Sequence, residues 1–275
     1  MGSRGITALD NIAASQWGMF TAAQARAVEV QSHQITSLVR EGRAEQLSYG
    51  VYRFVSSAEV ADPDVKAAWL SLKPEMLAPD RLASQPYDAV VAGRTAAHVH
   101  GVGDFYATPY TFIVRKRRQT RRADLQVWTR SLDESDVTMA GTLPVTTLER
   151  TFADLILADE DPSLVDDAMQ DAARAGRVLD EVRLGELLGP AAKRNGYASG
   201  PAFAAVLIAR NMAPIQMRSS VESALLAMKH LTKPTGAVSA AAQIDPQTQA
   251  TVDDLLRAFS SELASEAPAS NKGRK

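Results

Sequence analysis

The sequence predicts an α+β protein. Three observations carry that expectation. Residues 6–42 hold three short runs of apolar residues at helical spacing, and residues 45–54 hold two strand-like runs around a glycine turn. Further on, strand-like alternation over residues 109–146 gives way to helical periodicity from Thr147 to about Leu231.

The first run, Ile6 to Trp17, places Ile6, Leu9, Ile12 and Ala13 on one face of an amphipathic helix. Thr21-Ala22-Ala23-Gln24 reads as a capping box that opens a second helix, through the alanine-rich AQARAVE. Ser32 is the expected N-cap of a third helix, with Ile35, Leu38 and Val39 as its buried stripe and Gly42 as its stop. EQL and VYRF are then strand candidates joined by a turn at Ser48-Tyr49-Gly50. Three helices followed by a hairpin is the order of a winged helix-turn-helix, assigned to residues 1–58.

A stretch rich in Ser, Asp and Pro over residues 56–64 reads as a linker. The second domain is expected over residues 62–265, a mixed α+β domain with a small sheet and a helical C-terminal part. Residues 64–102 look helical around a strand at Ala89-Val90-Val91. TFIV, LQVW, VTMA and LPVTT are strand candidates within 109–146. Helix breaks are expected at Pro162, Gly189-Pro190, Gly200-Pro201 and Pro214. The composition of EAPASNKGRK, residues 266–275, predicts a disordered tail.

A chain of 275 residues can bury a core without covalent staples. With no cysteine there is neither a disulfide framework nor a thiolate zinc site, which suits a reducing cytoplasm, the expected location. No apolar run is long enough to span a bilayer, and the first residues lack the order of a signal peptide. Net charge is −2, but its distribution is uneven. Residues 1–60 carry five basic and five acidic groups, residues 113–131 seven basic against one acidic, and residues 132–190 fourteen acidic against four basic. The cationic strip and the acidic block could each face a charged partner, or neutralise each other internally.

In a helix-turn-helix the third helix enters the major groove. Its outward set here is Ser32, His33, Gln34, Thr36, Ser37 and Arg40. Gln suits adenine, Arg suits guanine, and Ser or Thr suit bases or phosphates; a merely solvated helix face is the alternative. Thr21, Tyr49 and Arg53 complete the candidate DNA-binding set, the last two on the wing, while Tyr52 could equally be core. Arg115, Lys116, Arg117, Arg118, Arg121 and Arg122 are expected at a β-hairpin tip between TFIV and LQVW. There they would supply sequence-independent phosphate affinity or dock an acidic partner, or lie in solvent. His98 and His100 form only an H-x-H pair and are read as packing or capping residues. No catalytic residue, metal site or cofactor is expected, since the phosphate-loop, nucleophile-elbow and zinc-protease signatures are absent.

Three stretches together resemble the AbiEi family of type IV toxin-antitoxin antitoxins. TAAQARAVEVQSHQITSLVREGRAEQLSYGVYRF is similar to its winged domain through Thr21, Ser32, Gly42 and Gly50-Val51-Tyr52. VVAGRTAAHVHGVGD resembles its helix ending in His-Gly, here His100-Gly101. LPVTTLERTFADL resembles its segment from Val145 to Asp154. The chain departs from the family's pattern at Glu29 and Val30, where a turn glycine is usual, and at Gln46 and Tyr49, where basic residues are usual.

The resemblance implies a non-enzymatic antitoxin and autorepressor. Its winged domain would bind inverted repeats in its own promoter as a homodimer. The remainder would counteract a nucleotidyltransferase-like toxin without a stable complex being required. Two alternatives stay open: a plain transcription regulator, and a degenerate restriction-endonuclease-like protein. For the latter, Glu222 sits in a fitting helix, but Asp245, Asp253 and Asp254 fall in the wrong pattern for a metal-dependent nuclease.

Overall fold

The computed structural model describes residues 2–117 and 120–212, all within one compact unit spanning residues 1–227. The expected tail, Pro214, and the segments carrying Glu222, Asp245, Asp253 and Asp254 lie outside the described residues.

The chain opens with α1 (Gly2–Ser15), then a short strand β1 (Met19–Thr21), α2 (Ala22–Ala27), α3 (Ser32–Arg40), and the hairpin strands β2 (Ala44–Ser48) and β3 (Val51–Phe54). The fold is α+β and begins with a winged helix-turn-helix. α1 starts earlier and ends two residues sooner than the apolar spacing suggested, because Trp17 turns left-handed at φ 63° and redirects the chain into β1. The three strands form an antiparallel sheet in the order β1-β3-β2. Leu9, Phe20, Val30, Ile35, Leu38 and Phe54 make the core between that sheet and α1–α3. Phe20 lies 4.9 Å from Phe54 and 5.5 Å from Tyr52, so Tyr52 is largely a packing residue.

α2 is capped as its sequence predicts, with the Thr21 hydroxyl accepting from Gln24 N–H and the Gln24 side chain accepting from Thr21 N–H at 2.9 Å. The α2–α3 turn passes through Glu29 at φ 63°, the left-handed conformation for which a glycine would be the usual choice. Two expectations for α3 need correction. Its N-cap is Gln31, with Ser32 already inside the helix. Val39 is 37% exposed and does not belong to the buried stripe, because the buried arc is turned toward Leu38 and the half-buried Gln34.

α4 (Pro63–Leu72) covers the other face of the winged sheet, and Met19 and Val51 share a core with Val65, Trp69, Leu70 and Leu72. A polar junction accompanies this packing. Gln16 donates to Gln24 Oε1 at 2.7 Å and accepts from Ala78 N–H at 3.1 Å, Gln24 donates to the Met76 carbonyl at 2.8 Å, and Thr21 donates to the Pro74 carbonyl. These side chains satisfy backbone groups that burial would otherwise leave orphaned.

After α5 (Ala78–Ala83) come β4 (Ala89–Val91), α6 (Gly93–His100), β5 (Tyr110–Val114), β6 (Leu125–Thr129), β7 (Val137–Ala140) and β8 (Leu143–Thr146). The five strands form a mixed sheet ordered β6-β5-β4-β8-β7. β5 and β6 pair in parallel, Tyr110 opposite Leu125 and Val114 opposite Thr129. The basic segment between them is therefore not a hairpin tip but a crossover loop that returns along the sheet. A parallel pair requires the chain to travel back the length of a strand before pairing again.

The helical part contains α7 (Leu148–Leu157), α8 (Pro162–Arg174), α9 (Glu181–Ala192) and α10 (Gly200–Asn211) around Phe152, Met169, Leu184, Leu188 and Phe203. The breaks expected at Pro162 and Gly200-Pro201 fall where α8 and α10 begin. Gly189-Pro190 does not break a helix but lies inside α9. α9 and α10 meet at glycines: a Cβ on Gly200 would fall 2.1 Å from the Gly185 carbonyl oxygen, so only glycine permits this approach.

The second and third resembling stretches meet in this domain. His100 Nε2 lies 2.7 Å from the Thr146 carbonyl, and Arg177 donates to the His100 carbonyl at 2.8 Å. Asp154, fully buried, receives Arg150 at 2.8 Å and Arg130 at 3.0 Å. Nearby Asp136 receives Arg183 at 2.7 Å. Arginine and aspartate here hold α7 and α9 to the sheet, and removing one partner would strand a buried charge.

Candidate nucleic-acid interface

α3 is short and faces solvent along one side because only Ile35 and Leu38 are buried within it. His33, Thr36, Val39 and Arg40 are exposed, as is Ser32 at the first turn; Ser37 is half-buried. Thr36 donates to the Ser32 carbonyl at 3.0 Å, a bond that a base or phosphate could replace. Gln34 is more constrained. Its Oε1 accepts from Gln31 N–H at 2.8 Å, which leaves its amide NH2 as the group able to meet a base. Arg40 has no ion-pair partner among the described residues.

The wing tip is Tyr49, 81% exposed between Ser48 and the left-handed Gly50. Gln46, at the other position where the family favours a cation, donates to the Ser48 carbonyl at 3.2 Å and so tightens the turn.

Two members of the sequence-based set are already engaged within the fold. Thr21 is 0% exposed, spent on capping α2 and on the bond to Pro74. Arg53 is held by Glu45 at 2.7 Å across the β2–β3 pair, with its side chain mostly covered. In the basic loop, Arg115, Lys116, Arg117 and Arg121 are exposed, whereas Arg118 lies outside the described residues. Arg122 differs from the rest: it pairs with Asp124 and donates to Ser48 Oγ at 2.6 Å and Ser71 Oγ at 2.9 Å.

Sequence reasoning missed Val39 as a surface group, an apolar side chain next to Arg40 on the exposed part of α3. It also passed over Arg26, exposed in the last turn of α2. The signal for Val39 was available in the shortness of the helix, which leaves little room for a third buried position.

His98 lies 3.5 Å from Asp62. Among the described residues no group of three or more His, Asp or Glu side chains is arranged to hold a metal ion, and no helix is long and apolar enough to cross a membrane.

Residues 8–55 match a family model described as "Transcriptional regulator, AbiEi antitoxin", the family that the winged segment resembles in sequence. A search of curated proteins returned no match. Among solved structures, the chain is similar to the crystal structure of the RV2827C protein from Mycobacterium tuberculosis, with 14% identity, a TM-score of 0.46, and coverage of 80% of this chain and 80% of that one.

Proposed function

Starting from a winged segment that matches the AbiEi antitoxin regulators, we propose that this protein represses its own operon and counteracts a toxin encoded with it. The observation that carries the reading is the exposed edge of α3 together with an exposed wing tip, in a segment that matches that family. α3 would lie in the major groove, with His33, Thr36 and Arg40 facing base edges, Val39 against a thymine methyl, and Ser32 and Ser37 near phosphates. Tyr49 would reach the adjacent backbone or minor groove. Inverted repeats would be read by two copies, each placing one α3 in a half-site.

Neutralisation of a nucleotidyltransferase-like toxin is assigned to the residues after the linker, from about residue 60 onward, and no stable complex between the two proteins is required. The exposed acidic groups in the block from Asp133 to Glu186 that carry no ion pair among the described residues, such as Glu134, Asp167 and Glu181, would favour encounter with a basic partner more than tight binding.

A mobility shift on the duplex upstream of the protein's own gene tests the DNA arm, and growth rescue beside the neighbouring gene tests the antitoxin arm. Point substitution separates them better than truncation, because Met19 and Val51 pack against α4 and cutting there would expose both. Arg40→Ala should weaken repression of a reporter while leaving rescue intact. Loss of both activities together, in a variant that melts like the parent, would refute the division of labour.

A further inference from the structure

The winged segment has little net positive charge to offer a duplex. Arg53 is neutralised by Glu45, and Arg43 lies 3.7 Å from Glu41. Arg4, Arg26 and Arg40 are its exposed cations without an ion-pair partner among the described residues. Protein–DNA affinity at physiological salt rests heavily on phosphate neutralisation, so cations elsewhere in the chain become relevant.

The crossover loop supplies them. Lys116, Arg117 and Arg121 are exposed and have no carboxylate partner among the described residues. The loop leaves β5 at Val114 and rejoins the sheet at Leu125, the first residue of the edge strand β6. It must therefore run back along a five-residue strand, roughly 17 Å at the usual rise. Its returning end is fixed to the wing: Arg122 donates to Ser48 Oγ, one residue before the tip at Tyr49, and to Ser71 Oγ at the end of α4. Asp124 balances the Arg122 charge.

We propose that this loop is a second phosphate-contacting element, its returning end set beside the wing by Arg122, and that it tracks the backbone of the same duplex the wing engages. The inference rests on the DNA-binding reading above. Lys116, Arg117 and Arg121 contact phosphate. Arg122 is a positioning residue, already neutralised and bonded, that works only through where it holds the loop. The contribution is independent of sequence, so it strengthens binding to operator and unrelated DNA alike.

The test compares the full chain with three variants on two duplexes of equal length, one from upstream of its own gene and one unrelated, over a range of salt. The variants are the triple Lys116→Gln/Arg117→Gln/Arg121→Gln, Arg122→Ala, and the two combined. The triple variant should lower the slope of log affinity against log salt by roughly 0.9 for each lost phosphate contact, up to about 2.7, on both duplexes. Arg122→Ala should weaken binding to both, and should add no further loss in the triple background. A parental slope in the triple variant overturns the proposal. Equal losses from Arg122→Ala in both backgrounds overturn the positioning role. Should Arg122→Ala melt far below the parent, Ser48→Ala removes the wing-side bond alone and must show the same non-additivity. If the parent binds neither duplex, the DNA-binding reading itself has failed, which is a different result from binding with an unaltered slope.

Discussion

Leu38 and Val39 are neighbours on α3, alike in chemistry and opposite in environment. Leu38 is 3% exposed, packed in the cluster of Leu9, Phe20, Ile35 and Phe54, while Val39 is 37% exposed. Leu38→Ala removes three buried carbons, worth about 2.4 kcal/mol at about 0.8 per methylene, and leaves a cavity that raises the cost to about 3 kcal/mol or more. Val39→Ala removes two carbons that are already partly in water, roughly 1 kcal/mol of burial, and recovers about 0.5 kcal/mol of helix propensity. The net change should be about 0.5 kcal/mol. Urea unfolding followed by circular dichroism gives both values from shifts in the midpoint at constant slope. If Val39→Ala costs as much as Leu38→Ala, the orientation of α3 described above is wrong, and so is the face assigned to DNA.

Other consequences can be checked with the same measurement. Thr21→Val should destabilise by about 2 kcal/mol through loss of the α2 cap and of the bond to Pro74, yet leave DNA affinity of the folded protein unchanged. Glu29→Gly should stabilise by about 0.5–1 kcal/mol, because relief of the left-handed strain exceeds the extra chain entropy of glycine; a lower melting point would count against this. Burial, more than any neighbouring charge, holds the His100 ring below its ordinary value of 6.5. The unfolded chain therefore binds the proton more readily. The His100 contribution to stability is complete above pH 6.5 and is lost as pH falls through the lower folded value. His100→Gln should flatten that acid-side decline; an identical pH profile would show that other groups cause it.

Much of the winged segment was legible because its signals are local. Thr21 and Gln24 announce α2 by a reciprocal cap, and Gly50 announces the wing turn. Val39 was misjudged because it lies four residues from Ile35. At about 100° per residue, Leu38 and Val39 sit on opposite sides of Ile35, and a short surface helix buries only one side. Strand β1 escaped notice because three residues carry no period, and it exists through pairing with β3, distant in sequence. The parallel pairing of β5 and β6 was equally hidden. Two strand-like runs separated by ten residues read as a hairpin, and only the neighbouring β4 and α6 decide which edge of the sheet remains for β6. The roles of Arg53 and Arg122 depend on Glu45, Ser48 and Ser71 being brought alongside, so the sequence could show their charge but not that it was already engaged.

The central claim is that α3 reads DNA. Titrating a labelled duplex from upstream of the protein's own gene by fluorescence anisotropy, with the parent and with Arg40→Ala at one salt concentration, tests it most directly. A base-reading arginine should cost about 1–3 kcal/mol, a loss of roughly five- to 150-fold on this duplex, with a much smaller loss on an unrelated one. Equal affinity of parent and Arg40→Ala for the upstream duplex, with both proteins folded, would contradict the claim.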